Sequence, residues 1–103
     1  MAETDELARH ISRVLDERVR YVDNPECHRL YLAMKIDGDV NTRDLFHSLR
    51  KARPLGECIA FCERERCSDG KILIGIIVVK NQEYNVMEYD KDMEKLFNMA
   101  RAG

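Results

Sequence analysis

Glycine is scarce, at five of 103 residues, and no two glycines form a G-x-G step or a P-loop. That leaves out the glycine-rich loops whose backbone amides cradle phosphates. Long apolar runs are also lacking. The longest, Ile72 to Val79, is interrupted by Gly75 and falls far short of the roughly 18 residues that cross a bilayer. No excess of basic charge is present: the formal net charge is -2 and the pI about 5.9. Strong nonspecific binding to a phosphate backbone, which calls for a basic face, is therefore not expected from composition. G-x-S-x-G, H-E-x-x-H and C-x-x-C are all missing. His10, His28 and His47 have no neighbours that suggest a base–nucleophile pair, so no catalytic residue is assigned and an enzyme is not the expected reading. Asp37-Gly-Asp39 lacks the spaced acids and terminal Glu of a calcium loop and reads as a turn.

What is present is one domain's worth of chain, 1–103, with 45% hydrophobic and 35% charged residues. The acidic start, Met-Ala-Glu-Thr-Asp-Glu, has no apolar secretory core, and a cytoplasmic or other reducing intracellular location is expected, with no membrane partner. Residues 3–19 have helical spacing through Leu7, Ile11, Val14 and Leu15, with Thr4 as a cap and Val22 as an extension. Asn24-Pro25 ends that helix. His28 to Ile36 alternates as a half-buried strand. Asn41 or Thr42 caps a second helix with Leu45, Phe46, Leu49 and Ala52 inward, and Pro54 stops it. Residues 57–66 and 71–80 flank Ser68-Asp-Gly70 as a hairpin. Tyr84 to Tyr89 suggests a short edge strand, and Asp90 a cap for a last helix carrying Met93, Leu96, Phe97 and Ala100.

The order α-β-α-β-β-(β)-α implies an α+β fold with a small mixed sheet of three to four strands and three helices. A parallel first pair with the third strand inserted gives the order 1-3-2, which resembles the split β-α-β arrangement of ferredoxin-like folds. That likeness concerns the fold and carries no function.

Four cysteines invite a metal or redox reading, three of them in Gly56-Glu-Cys-Ile-Ala-Phe-Cys-Glu-Arg-Glu-Arg-Cys67. Cys58 and Cys62 sit four strand residues apart, roughly 13 Å, too far to share one zinc. Cys67 with Cys27-His28 lacks two further ligands. No metal site or cofactor is assigned, and Cys58 and Cys62 are expected in the core as buried thiols. Alternation places Cys67 on the strand face opposite Arg64 and Arg66.

Two binding surfaces are expected. The strand at 71–80 is apolar on both faces, and three helices are expected to leave part of it for another chain. Ile72, Ile74, Ile76, Ile77 and Val79 are therefore the expected interface of a homo-oligomer or of a complex with a protein partner. The leading function is a protein–protein assembly module that self-associates through its apolar sheet or terminal helices. The alternative is a nucleic-acid-binding accessory module using Arg50, Lys51, Arg53, Arg64, Arg66 and Lys71, provided the end of the second helix and the hairpin tip meet.

Overall fold

A computed structural model of the chain describes residues 2–21, 29–80 and 86–102. The elements are α1 (Ala2–Tyr21), β1 (Arg29–Ile36), α2 (Thr42–Ala52), β2 (Glu57–Arg66), β3 (Ile72–Lys80) and α3 (Val86–Ala102). The strands form one sheet in the order β1-β3-β2, and both neighbouring pairs are antiparallel. β1 and β2 thus run the same way with β3 between them, in an α+β fold whose described residues form three helices and three strands. The expected strand at 84–89 is corrected over its described part. Residues 86–89 are the first turn of α3, so Asp90 lies inside the helix rather than at its cap. Val86 and Tyr89 fall seven and four residues before Met93, and that helical period continues through Phe97. Tyr84, Val22, Asn24-Pro25 and Cys27-His28 lie outside the described residues.

Alternation in the strands separates two cores. Leu30, Leu32 and Ile36 of β1 join Ile72, Ile74, Ile76 and Val78 of β3 on one face, beneath Ala8, Ile11 and Leu15 of α1 and Leu45 and Leu49 of α2. The buried stripe of α1 runs through Thr4, Ala8, Ile11, Ser12 and Leu15, offset from the expected one: Leu7 and Val14 flank it, half-buried. Thr4 is buried inside the helix, which begins at Ala2, so it is not the cap. In α2 Asn41 is the N-cap, with its Oδ1 accepting from the Asp44 amide at 3.1 Å. Ala52, expected inward, is exposed.

α3 covers the other face. Leu73, Ile77 and Val79 of β3 pack there with Met93 and Phe97. Ala33, Gly75 and Cys62 lie side by side in register across the three strands. This row of small side chains makes a trough, and a Cβ on Gly75 would stand 2.8 Å from the Phe97 ring. Polar contacts hold the helix from both sides. Asp92 accepts from Arg29 at 3.1 Å and from the Tyr31 hydroxyl at 3.3 Å, both on β1. Toward β2, Glu94 accepts from Arg64 at 2.8 Å and Arg101 donates to Glu65 at 3.2 Å. Ala100 is exposed, which corrects its expected inward position.

The five expected interface residues are corrected by this packing. Ile72, Ile74, Ile76, Ile77 and Val79 are each at most 2% exposed within the single chain. The cover assigned to a partner comes from α1 and α2 on one face and α3 on the other.

Two turns meet at one end of the sheet. The β1–α2 turn places Gly38 against the backbone of the β2–β3 hairpin, where an added Cβ would collide with the Gly70 carbonyl oxygen. Backbone cannot rotate aside as a side chain can. Gly38→Ala is therefore expected to cost about 1–3 kcal/mol, the usual penalty for overpacking, read as a lower urea midpoint at unchanged slope. An unchanged midpoint would refute the contact.

Candidate functional site

The six basic residues of the expected nucleic-acid patch do not come together. Arg50, Lys51 and Arg53 end α2 beside the start of β2, whereas Arg64, Arg66 and Lys71 lie toward the hairpin tip at its far end. Nine strand steps from Glu57 to Arg66 correspond to about 30 Å. Arg50 lies over the Phe46 ring at 5.8 Å. Lys51 lines a shallow cleft with Asp5, Arg9 and Ser48 between α1 and α2. In that cleft the Ser48 hydroxyl donates to Asp5 at 2.7 Å and holds its carboxyl below the ordinary range. Arg64 is engaged by Glu94 and by the face of Phe97, 5.3 Å away, and Arg66 reaches the Gly38 carbonyl at 3.4 Å.

Arg53 is a structural residue, which corrects its place in the patch. Its guanidinium donates to both carboxylate oxygens of Glu57 at 2.8 and 2.9 Å, to Asp16 at 2.7 Å and to the carbonyl and hydroxyl of Ser12 at 3.1 Å. The hydrogen bonds to Glu57 do most to raise its pKa, against the opposing effect of burial. Arg53 is extended, as a residue before proline prefers, and Pro54 with Gly56 at φ +96° turns the chain back so that Glu57 meets it.

Among the described residues no group of three or more His, Cys, Asp or Glu is arranged to hold a metal. His10 and His47 are exposed. Cys58, Cys62 and Cys67 are thiols rather than disulfides. Cys58 is exposed and Cys62 and Cys67 are half-buried, so the expectation of core thiols at 58 and 62 is corrected. Burial raises the Cys62 pKa, with the Arg64 charge opposing it. A register shift between Glu63 and Glu65 also corrects the expected alternation. The extra residue, Arg64, leaves Arg64, Glu65 and Cys67 all toward α3.

The feature the sequence reading passed over is the outer edge of β2. Among the described residues β2 pairs with β3 alone, and its first half, Cys58-Ile-Ala-Phe-Cys62, carries no charge and no proline. Along these residues both faces are half covered: Ile59 and Phe61 pack under α2, where Phe61 tilts against Phe46 at 6.0 Å, and Ala60 and Cys62 lie under α3. The second half is guarded by the bulge and by Glu63, Arg64, Glu65 and Arg66. Glu63 is further tied to α2 by the Thr42 hydroxyl at 3.0 Å. The other edge, β1, carries Arg29 and Lys35, and α3 is anchored to it through Asp92. Among the described residues, the uncharged stretch Cys58–Cys62 thus lies on a strand whose one sheet neighbour is β3. No family model, curated protein or solved structure matches this chain.

Proposed function

We propose that the chain is a small protein–protein assembly module that self-associates by adding a strand at the outer edge of β2. The observation that carries this reading is the uncharged, proline-free stretch Cys58–Cys62 of β2, a strand that has one sheet neighbour among the described residues. Outward-facing amides and carbonyls of an edge strand accept a further strand through main-chain hydrogen bonds. Edges that must stay unpaired usually carry lysine, proline or a bulge. Here those devices stand on the other half of β2 and on β1. Both sheet faces are covered by the chain's own helices, so the edge is the route that remains for extending the sheet. The three described thiols suit a reducing compartment, consistent with an intracellular module.

Cys58→Lys tests the reading. Cys58 is exposed, and a lysine charge there is expected to block strand addition. Sedimentation of the wild-type chain at high concentration is expected to give twice the 12.0 kDa chain mass, and the variant a folded monomer. A wild-type chain that sediments as a monomer at every concentration overturns the proposal.

A further inference from the structure

The outward side of α2 is basic throughout. Successive residues of a helix turn by about 100°. Arg43, His47, Arg50 and Lys51 therefore share one sector of about 100°, and no other residue of α2 falls within it. All four are exposed. We infer that this stripe binds the phosphate backbone of duplex nucleic acid, without regard to base sequence. Neither its residues nor their role depend on the self-association proposed above.

The charges of the stripe are uncompensated. Arg29, Arg53, Arg64 and Arg101 are each matched to a carboxylate. Among the described residues, Arg43, Arg50 and Lys51 enter no ion pair. Within α2 they face one acid, Asp44, on the first turn at the margin of the stripe. In the cleft toward α1, Lys51 lies with Asp5, whose carboxylate already accepts from Ser48, and with a further cation, Arg9. A net charge of -2 for the whole chain thus hides a local positive excess. The guanidinium of Arg50 lies 5.8 Å from the centre of the Phe46 ring, which holds it in place and lessens the entropy lost on binding.

The form of the stripe selects its occupant. It runs about 12 Å along the helix axis, eight steps of about 1.5 Å. Duplex DNA carries one charge per about 1.7 Å of its axis, so each cation finds a phosphate. Single strands are held largely by stacking on aromatic side chains. The aromatic beside the stripe, Phe46, already packs against Arg50 and Phe61. Contacts to phosphate position a protein without reading bases, hence the indifference to sequence. A membrane surface calls for an exposed apolar face on the helix, whereas Leu45 and Leu49 of α2 are buried in the core. Leu55, fully exposed three residues past α2, is a single apolar anchor, and lipid vesicles are the control for it.

Fluorescence anisotropy of a fluorescein-labelled DNA duplex, titrated with the full-length chain, is the test. With three cations engaged, log affinity is expected to fall against log salt with a slope of about 2.7, a loss of roughly 40-fold between about 50 and 200 mM. Two duplexes of unrelated sequence are expected to bind within about twofold of each other. The variant carrying Arg43→Gln, Arg50→Gln and Lys51→Gln is expected to bind at least about tenfold more weakly at about 50 mM salt. A control carrying Lys71→Gln, Lys91→Gln and Lys95→Gln removes the same charge from exposed positions elsewhere. It is expected to stay within about twofold of the wild type. No binding by the wild-type chain at about 50 mM salt, or a slope below about 1, overturns the proposal whether or not the variants fold. An equal loss in both variants does so too, because net charge is then the cause. Equal or tighter binding to vesicles of phosphatidylcholine and phosphatidylserine overturns nucleic acid as the occupant. So does displacement of the duplex by polyglutamate at equal charge concentration.

Discussion

Arg53→Ala is expected to lower the melting temperature by more than ~10 °C and to leave a substantial unfolded fraction under mild denaturant. The Arg53 side chain is 2% exposed and that of Glu57 6%. Removing the cation strands a carboxylate in a site from which water is excluded. Deleting one member of a buried ion pair costs about 3–5 kcal/mol, against a total of about 5–15 kcal/mol for a domain of this kind. Each kcal/mol moves the midpoint by roughly 4–8 °C at this size. Asp16 contributes less, because its side chain is 59% exposed and remains solvated when the guanidinium goes. Arg53→Lys is expected to fall between the two, since an ammonium cannot hold both Glu57 oxygens, Asp16 and Ser12 in one plane. Arg53→Met combined with Glu57→Gln should recover much of the loss, because it removes the stranded charge along with its partner. Thermal melts of the four proteins decide the matter. A single Arg53→Ala variant that melts with the wild type would remove the structural role assigned to this residue.

The strand order was legible because the physics that sets it is local. Alternation over residues 28–36, an apolar run bounded by Gly70 and Lys80, and Asn41 ahead of an amphipathic segment each act within a few residues. Together they leave few economical connections. The misread pieces depend on what a distant element does. Residues 84–89 have a pattern short enough to suit either structure, and the helical period continuing into Met93 and Phe97 decides it for 86–89. The apolar surplus of β3 was assigned to a partner because the coverage of its second face could not be counted from sequence. α3 supplies that coverage, and it sits there because Gly75 lets it come close.

The outer position of β2 also follows from the sequence. The order 1-3-2 already makes β2 an outer strand, yet its cysteines were placed in the core. What the sequence could not supply is the bulge at Arg64. It returns Arg64, Glu65 and Cys67 to one face and separates the charged half of β2 from the uncharged half. The basic patch failed for a related reason. Arg50 and Arg64 are near enough in sequence to suggest a cluster, but a ten-residue strand carries the chain to the opposite end of the sheet. Arg53 and Glu57 have the spacing of a helical pair, yet they meet across a Pro-Leu-Gly turn.

Phe97→Ala and Gly75→Ala are expected to destabilise the same contact from its two sides, and their combination shows whether that contact exists. Phe97 is fully buried against β3, so truncating it should cost about 3–5 kcal/mol. Gly75→Ala is the sharper case because two effects oppose each other. In an open position of a strand, alanine should be favoured over glycine by about 0.5–1 kcal/mol through lower chain entropy. Here the new Cβ would stand 2.6 Å from the Met93 sulfur and 2.8 Å from Phe97 Cζ. Met93 can change rotamer, but the Phe97 ring is held between β3 and the Arg64 guanidinium. The clash should therefore win, with a net loss of about 1–3 kcal/mol. The sign reverses once the ring is gone: in the Phe97→Ala background, Gly75→Ala fills empty space and should be neutral or stabilising. The resulting coupling should lie within the usual 0.5–3 kcal/mol for residues in contact. Urea denaturation of the two single variants and the double variant measures it. Additive effects would mean that α3 does not seat Phe97 in the Ala33-Gly75-Cys62 trough, and the account of how the second sheet face is covered would fall with that contact.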